Sequence, residues 1–68
     1  MEKTLLSRNI RLLRRRKGLT QEDFASLIGT PLVRVVHIEC GEEPTSEEVS
    51  RICDVLQVPQ EQLRSEIP

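Results

Sequence analysis

Tryptophan and tyrosine are absent from this 68-residue chain, and Phe24 is its one aromatic side chain. A core of that composition is packed from Leu, Ile and Val, and the aromatic platforms with which proteins hold single-stranded nucleic acid are missing. Histidine occurs once, as His37, and cysteine twice, as Cys40 and Cys53, without the close spacing of a zinc site or a disulfide framework. Cys53 reads as a small packed residue and Cys40 as a more exposed one. There is no Gly-rich phosphate loop, no serine elbow and no cluster of metal ligands, so no catalytic residue, metal or cofactor is assigned. The acids Glu42 and Glu43 read as surface charge. No signal-like or membrane-spanning apolar run occurs, because the apolar residues near the start alternate with arginines; a cytoplasmic location without a membrane is therefore expected. The formal net charge of −1 lacks the overall positive sign of a typical nucleic-acid binder.

The length allows one small domain, 1–68, with frayed ends expected at about 1–4 and 65–68. A core of this size supplies only about 3–5 kcal/mol, so a second copy or another partner is expected.

The stretch from Thr20 to Gly41 organises the rest. Thr20-Gln21-Glu22-Asp23 opens like a capped helix, with the threonine hydroxyl placed to accept from a first-turn amide and acids at the positive end. Phe24, Ala25 and Ile28 give that helix an inward face. Gly29 is suited to the left-handed turn that ends a helix, and Thr30-Pro31 offers a new cap with proline at the first helical position. A second helix, Pro31 to Cys40, then starts two residues after the first stops, which is helix-turn-helix spacing. Leu32 to Ile38 is also rich in β-branched residues, the composition of a strand; the cap and the spacing favour a helix.

Before this pair, Leu6, Ile10 and Leu13 make an apolar stripe on a helix of about residues 5–17. Arg8, Arg11, Arg15, Arg16 and Lys17 surround it, as an edge for phosphates or as a solvated helix end. After the pair, Thr45 and Glu48 form a capping box, followed by the inward stripe Val49, Ile52, Cys53 and Leu56. Gln57-Val58-Pro59 breaks that helix, and a short one at about 60–64 closes the domain through Leu63.

Thr20-Gln21-Glu22-Asp23-Phe24-Ala25, Gly29, Val35, Ile38-Glu39 and Gly41 together resemble the helix-turn-helix of the phage repressor and Cro class, the xenobiotic-response-element family of small regulators. Ile10, Leu13-Arg14, Lys17-Gly18-Leu19, Pro44-Thr45, Ile52, Leu56, Val58 and Leu63 extend the likeness over about residues 6–63. The resemblance implies an all-α, lambda-repressor-like domain of four to five helices that regulates transcription by binding double-stranded, operator-like DNA as a homodimer. It implies that Leu32, Val33, Val36 and His37 lie at base-reading positions, that Arg34 reaches phosphate or a base, and that Gln21 meets a phosphate. It also implies an internal ion pair between Arg14 and Glu39. Glycine is usual in the family where this chain has Gln57.

The residues themselves also support another use of the fold. Leu32, Val33 and Val36 offer only apolar contact to a base, whereas base discrimination rests on bidentate hydrogen bonds, and Glu42 and Glu43 would repel the DNA backbone. If Val35 and Ile38 point inward, Leu32, Val33, Val36 and Cys40 project outward, and an all-round apolar helix calls for burial on both sides. Protein–protein binding, as an antiactivator or antirepressor with a regulatory protein partner, is the alternative function.

Overall fold

In the computed structural model, which describes residues 4–67, the chain forms α1 (Leu5–Arg16), α2 (Gln21–Ile28), α3 (Leu32–Glu39), α4 (Ser46–Leu56) and α5 (Gln60–Leu63), with no strand among the described residues. The β-branched run in α3 is helical because its inward side chains, Val35 and Ile38, sit in the core at 1% and 2% exposure. Burial against other helices outweighs the small difference in local propensity.

Each helix buries one stripe. Leu6, Ile10 and Leu13 of α1 meet Phe24, Ala25 and Ile28 of α2, Val49, Ile52 and Leu56 of α4, and Leu63 of α5 in one cluster. A fully buried side chain of this type contributes about 1.5–3 kcal/mol. Cys53 packs half-buried against the cluster, and burial pushes its thiol pKa up. Asn9 is a polar insertion that the apolar pattern did not reveal: its Nδ2 donates to the Leu63 carbonyl at 2.7 Å and to the Ser65 carbonyl, tying α1 to the end of the domain.

The helix ends follow from short-range chemistry. Thr20 and Asp23 form a reciprocal capping box on α2, as do Thr45 and Glu48 on α4. Thr4 caps α1 by accepting from the Ser7 amide at 3.0 Å. Of the expected frayed ends, residues 1–3 and 68 lie outside the described residues.

The turn between α2 and α3 differs in detail from the expected one. Gly29 is left-handed at φ 71°, and the Thr30 amide donates back to the Ala25 carbonyl at 2.9 Å. Thr30 thereby completes the end of α2 and does not cap the next helix. Pro31 takes the cap position in extended conformation, ψ 150°, and α3 begins at Leu32.

Gln57 ends α4 in the left-handed region at φ 60°, and its side-chain oxygen accepts from Lys17 Nζ at 2.7 Å. A β-carbon in that region costs roughly 1–2 kcal/mol. Part of the gain from glycine is offset by its greater freedom in the unfolded chain. Gln57→Gly is therefore expected to raise the unfolding free energy by about 0.5–1 kcal/mol in urea titrations, the exposed Lys17 contact being worth little. A loss of stability would mean that Lys17 holds more than the backbone strain releases.

Candidate nucleic-acid interface

Because α3 is set by the glycine turn with Val35 and Ile38 inward, its other sides are presented outward. Leu32 is 41% exposed and Val33 58%. His37 and Cys40 are also exposed, while Val36 is half-buried. Leu27 on α2 adds a third exposed large apolar residue that the sequence reading passed over, at 57%.

Glu39 closes the inner end of α3. Its Oε2 accepts from Arg14 Nε at 2.6 Å and its Oε1 from Arg14 Nη2 at 3.1 Å, so α1 and α3 are joined by a bidentate ion pair. The side chains are 8% and 4% exposed. Arg14 Nη1 donates to the Leu19 carbonyl at 2.6 Å. Gln21, at the start of α2, donates from Nε2 to the same Glu39 Oε1 at 3.1 Å. One carboxylate thus positions the ends of three helices, and no described buried side-chain N or O lacks a partner.

Above this pair lies an open cleft of about 520 Å³ lined by Arg11, Arg14, Arg15, Gln21, Val36, Glu39 and Cys40. The Arg14 charge is matched by Glu39. Arg11 and Arg15 meet no carboxylate among the described residues, so the cleft carries net positive charge beside α3. Such a surface offers N–H donors and cations to an anion, and the backbone of DNA is the anion that would run past an exposed helix.

Arg34 stands differently. Nε and Nη2 donate to the two oxygens of Glu48 at 2.8 Å each. Nη2 also reaches the Glu43 carbonyl at 3.4 Å, and Nη1 donates to Glu42. Guanidinium has five N–H donors, so a single one is uncommitted. Arg34 is at the surface of α3, yet a phosphate or base can take it bidentately only by displacing a carboxylate. The expected repulsion from the loop is also altered: Glu42 pairs with Arg34, and Glu43 with Arg64 at 3.1 Å. His37 Nδ1 lies 3.8 Å from Glu42.

The same network sets an acid dependence. Hydrogen bonds from Arg34 hold Glu48 down to about 2, from an ordinary 4.5, and Arg34 in turn is raised by Glu48 and Glu42. A carboxylate with a depressed folded-state pKa contributes fully above its unfolded pKa and loses that contribution as pH falls through the folded one. The stability contributed by the Arg34–Glu48 link should therefore be complete above about pH 4.5 and decline on the way to about 2, where Glu48 in the folded pair is itself protonated. In urea melts, wild type should lose stability over that interval more steeply than Glu48→Gln. Parallel curves would place the acid sensitivity elsewhere.

No group of three or more His, Cys, Asp or Glu that could hold a metal occurs among the described residues. None of their helices is long and apolar enough to cross a membrane.

An exposed helix seated by a glycine turn against a capped helix, with cations along its flank, defines a helix-turn-helix regulator of transcription. The chain belongs to the helix-turn-helix domain family, whose model matches residues 5–66. Its structure is similar to that of the restriction-modification controller protein C.AhdI from Aeromonas hydrophila, with a TM-score of 0.82 at 26% identity, covering 88% of this chain and 92% of that one. No curated protein matches the sequence. The protein is a small helix-turn-helix DNA-binding regulator.

Proposed function

We propose that the protein controls transcription by placing α3 in the major groove of an operator, with Leu32, Val33, Val36 and His37 toward the bases and Gln21, Arg11 and Arg15 toward the phosphates. The observation that carries this reading is the open, outward start of α3 beside a cleft whose arginines Arg11 and Arg15 meet no carboxylate among the described residues. Affinity would come from the flank, and sequence preference from apolar contact with thymine methyl groups and from DNA shape. With one short reading helix per chain, two copies on half-sites about one turn apart would supply the remaining contacts. C.AhdI is a controller of restriction and modification; an analogous controller role, over genes not specified by this geometry, is proposed for this chain.

The exposure of Leu32 and Val33 favours a second reading, in which the same face of α3 binds a regulatory protein. Selection from a randomised duplex pool separates the two. Enrichment of a T-rich motif, weakened by Gln21→Ala and abolished by Val33→Glu, is the outcome expected for DNA. If no duplex is selected at low salt, while Val33→Glu/Val36→Glu stays helical and loses an association seen by sedimentation, the face is a protein seam.

A further inference from the structure

We propose that a second cleft, on the outer side of α1, docks an acidic amphipathic segment of another protein. This cleft has a volume of about 290 Å³ and lies between α1 and the residues that follow α5. Its apolar lining is Leu5, Leu12 and Ile67, each half-buried. Arg8, Arg11 and Arg15 stand around it. These three meet no carboxylate among the described residues, whereas Arg14, Arg34, Arg51 and Arg64 each do. Unmatched positive charge is thus gathered along one side of one helix, over an apolar floor.

The spacing of the arginines, three and then four residues apart, runs along α1 for about 10 Å. A partner helix with acids at the same spacing and leucines between them would match both the charge and the floor. A DNA backbone fits less well: it brings no apolar surface to Leu5, Leu12 and Ile67, and no residue of α2 or α3 lines the cleft. Glu66 at the rim opposes either kind of anion and favours a partner whose acids face Arg8, Arg11 and Arg15. A second copy of the chain also fits less well: its Glu39, Glu42, Glu43, Glu47 and Glu48 are already paired with its own arginines. The described acids without an arginine partner, Glu22, Asp23, Asp54, Glu61 and Glu66, are spread over α2, α4, α5 and the residues after it rather than aligned at helical spacing on one helix. Arg11 and Arg15 also border the DNA-facing cleft, so Arg8 and Leu12 are the positions that isolate this site.

The test is fluorescence anisotropy with a labelled peptide of about fourteen residues, made of Glu and Leu at helical spacing, against a scrambled peptide of the same composition. Wild type is expected to bind the patterned peptide at least about tenfold more tightly, and Arg8→Glu and Leu12→Ala each to weaken it by about fivefold or more. Circular dichroism checks that both variants are folded; Arg8 is exposed in the first turns of α1, where glutamate is tolerated. Equal binding of the two peptides would overturn the proposal. So would displacement of the patterned peptide by duplex DNA with a matching loss of duplex binding in Arg8→Glu, which would make the cleft a phosphate face. Sedimentation of wild type as a dimer that Arg8→Glu converts to monomer would make it a seam between copies.

Discussion

Replacing Arg14 by alanine is expected to cost about 3–5 kcal/mol, because it leaves Glu39 buried without its cation. Glu39 is 3% exposed, and its remaining partner would be the neutral Gln21 amide. A core of this size supplies only about that much stability in total, so the variant should be largely unfolded at 25 °C by circular dichroism. Arg15→Ala, one residue along and exposed, should stay within about 0.5 kcal/mol of wild type. The double replacement Arg14→Met/Glu39→Met is expected to recover much of the loss, since a buried pair exchanged for packed apolar side chains is often tolerated. Arg14→Ala folding as well as wild type would mean that water reaches Glu39 and that the pair does not hold α1 to α3.

DNA affinity is expected to fall about a hundredfold between roughly 50 and 200 mM salt if about four phosphates are contacted, since each contributes about −0.9 to the log–log slope. Glu42→Gln is the informative variant. It frees Nη1 of Arg34 and removes a negative charge beside α3. Binding at low salt should strengthen about tenfold, and the slope should steepen by about one phosphate contact. Arg34→Ala should reverse that gain in the Glu42→Gln background while changing little in wild type. Titrations at several salt concentrations measure both quantities. An unchanged affinity and slope in Glu42→Gln would show that the carboxylate does not compete with DNA for Arg34.

The helices were legible because their signals are local. Capping boxes, the glycine turn and the stripes of α1, α2 and α4 each lie within one or two turns of sequence, and α3 emerged from its flanks despite a strand-like composition. What was not legible depends on how helices cross. Arg34 could be placed on the surface of α3, but its capture by Glu48 joins residues fourteen apart through the angle between α3 and α4. The hydrogen bonds of Asn9 to carbonyls at the end of α5 and just beyond it span more than fifty positions, and a lone asparagine gives no sign of them. Gln57 was visible as a departure from the family, yet only the backbone revealed that it takes the glycine conformation. Of the positions carried over for base contact, the exposure of Leu32 and Val33 followed from helical geometry, whereas the partial burial of Val36 depends on neighbours across the cleft.

Two carboxylates leave α3 with unequal room to evolve. Glu39 serves Arg14 and Gln21 at once, so a change there alone disturbs α1, α2 and α3 together and position 39 can change only in step with position 14. Glu48 keeps its bond from the Thr45 amide whatever stands at position 34, and it lies near enough to the surface for water to replace a lost guanidinium. Position 34 can therefore drift among side chains without loss of the fold. It sits on the same helix as the exposed Leu32 and Val33, so a lineage of such proteins could move to new DNA sites through a residue that the scaffold does not need.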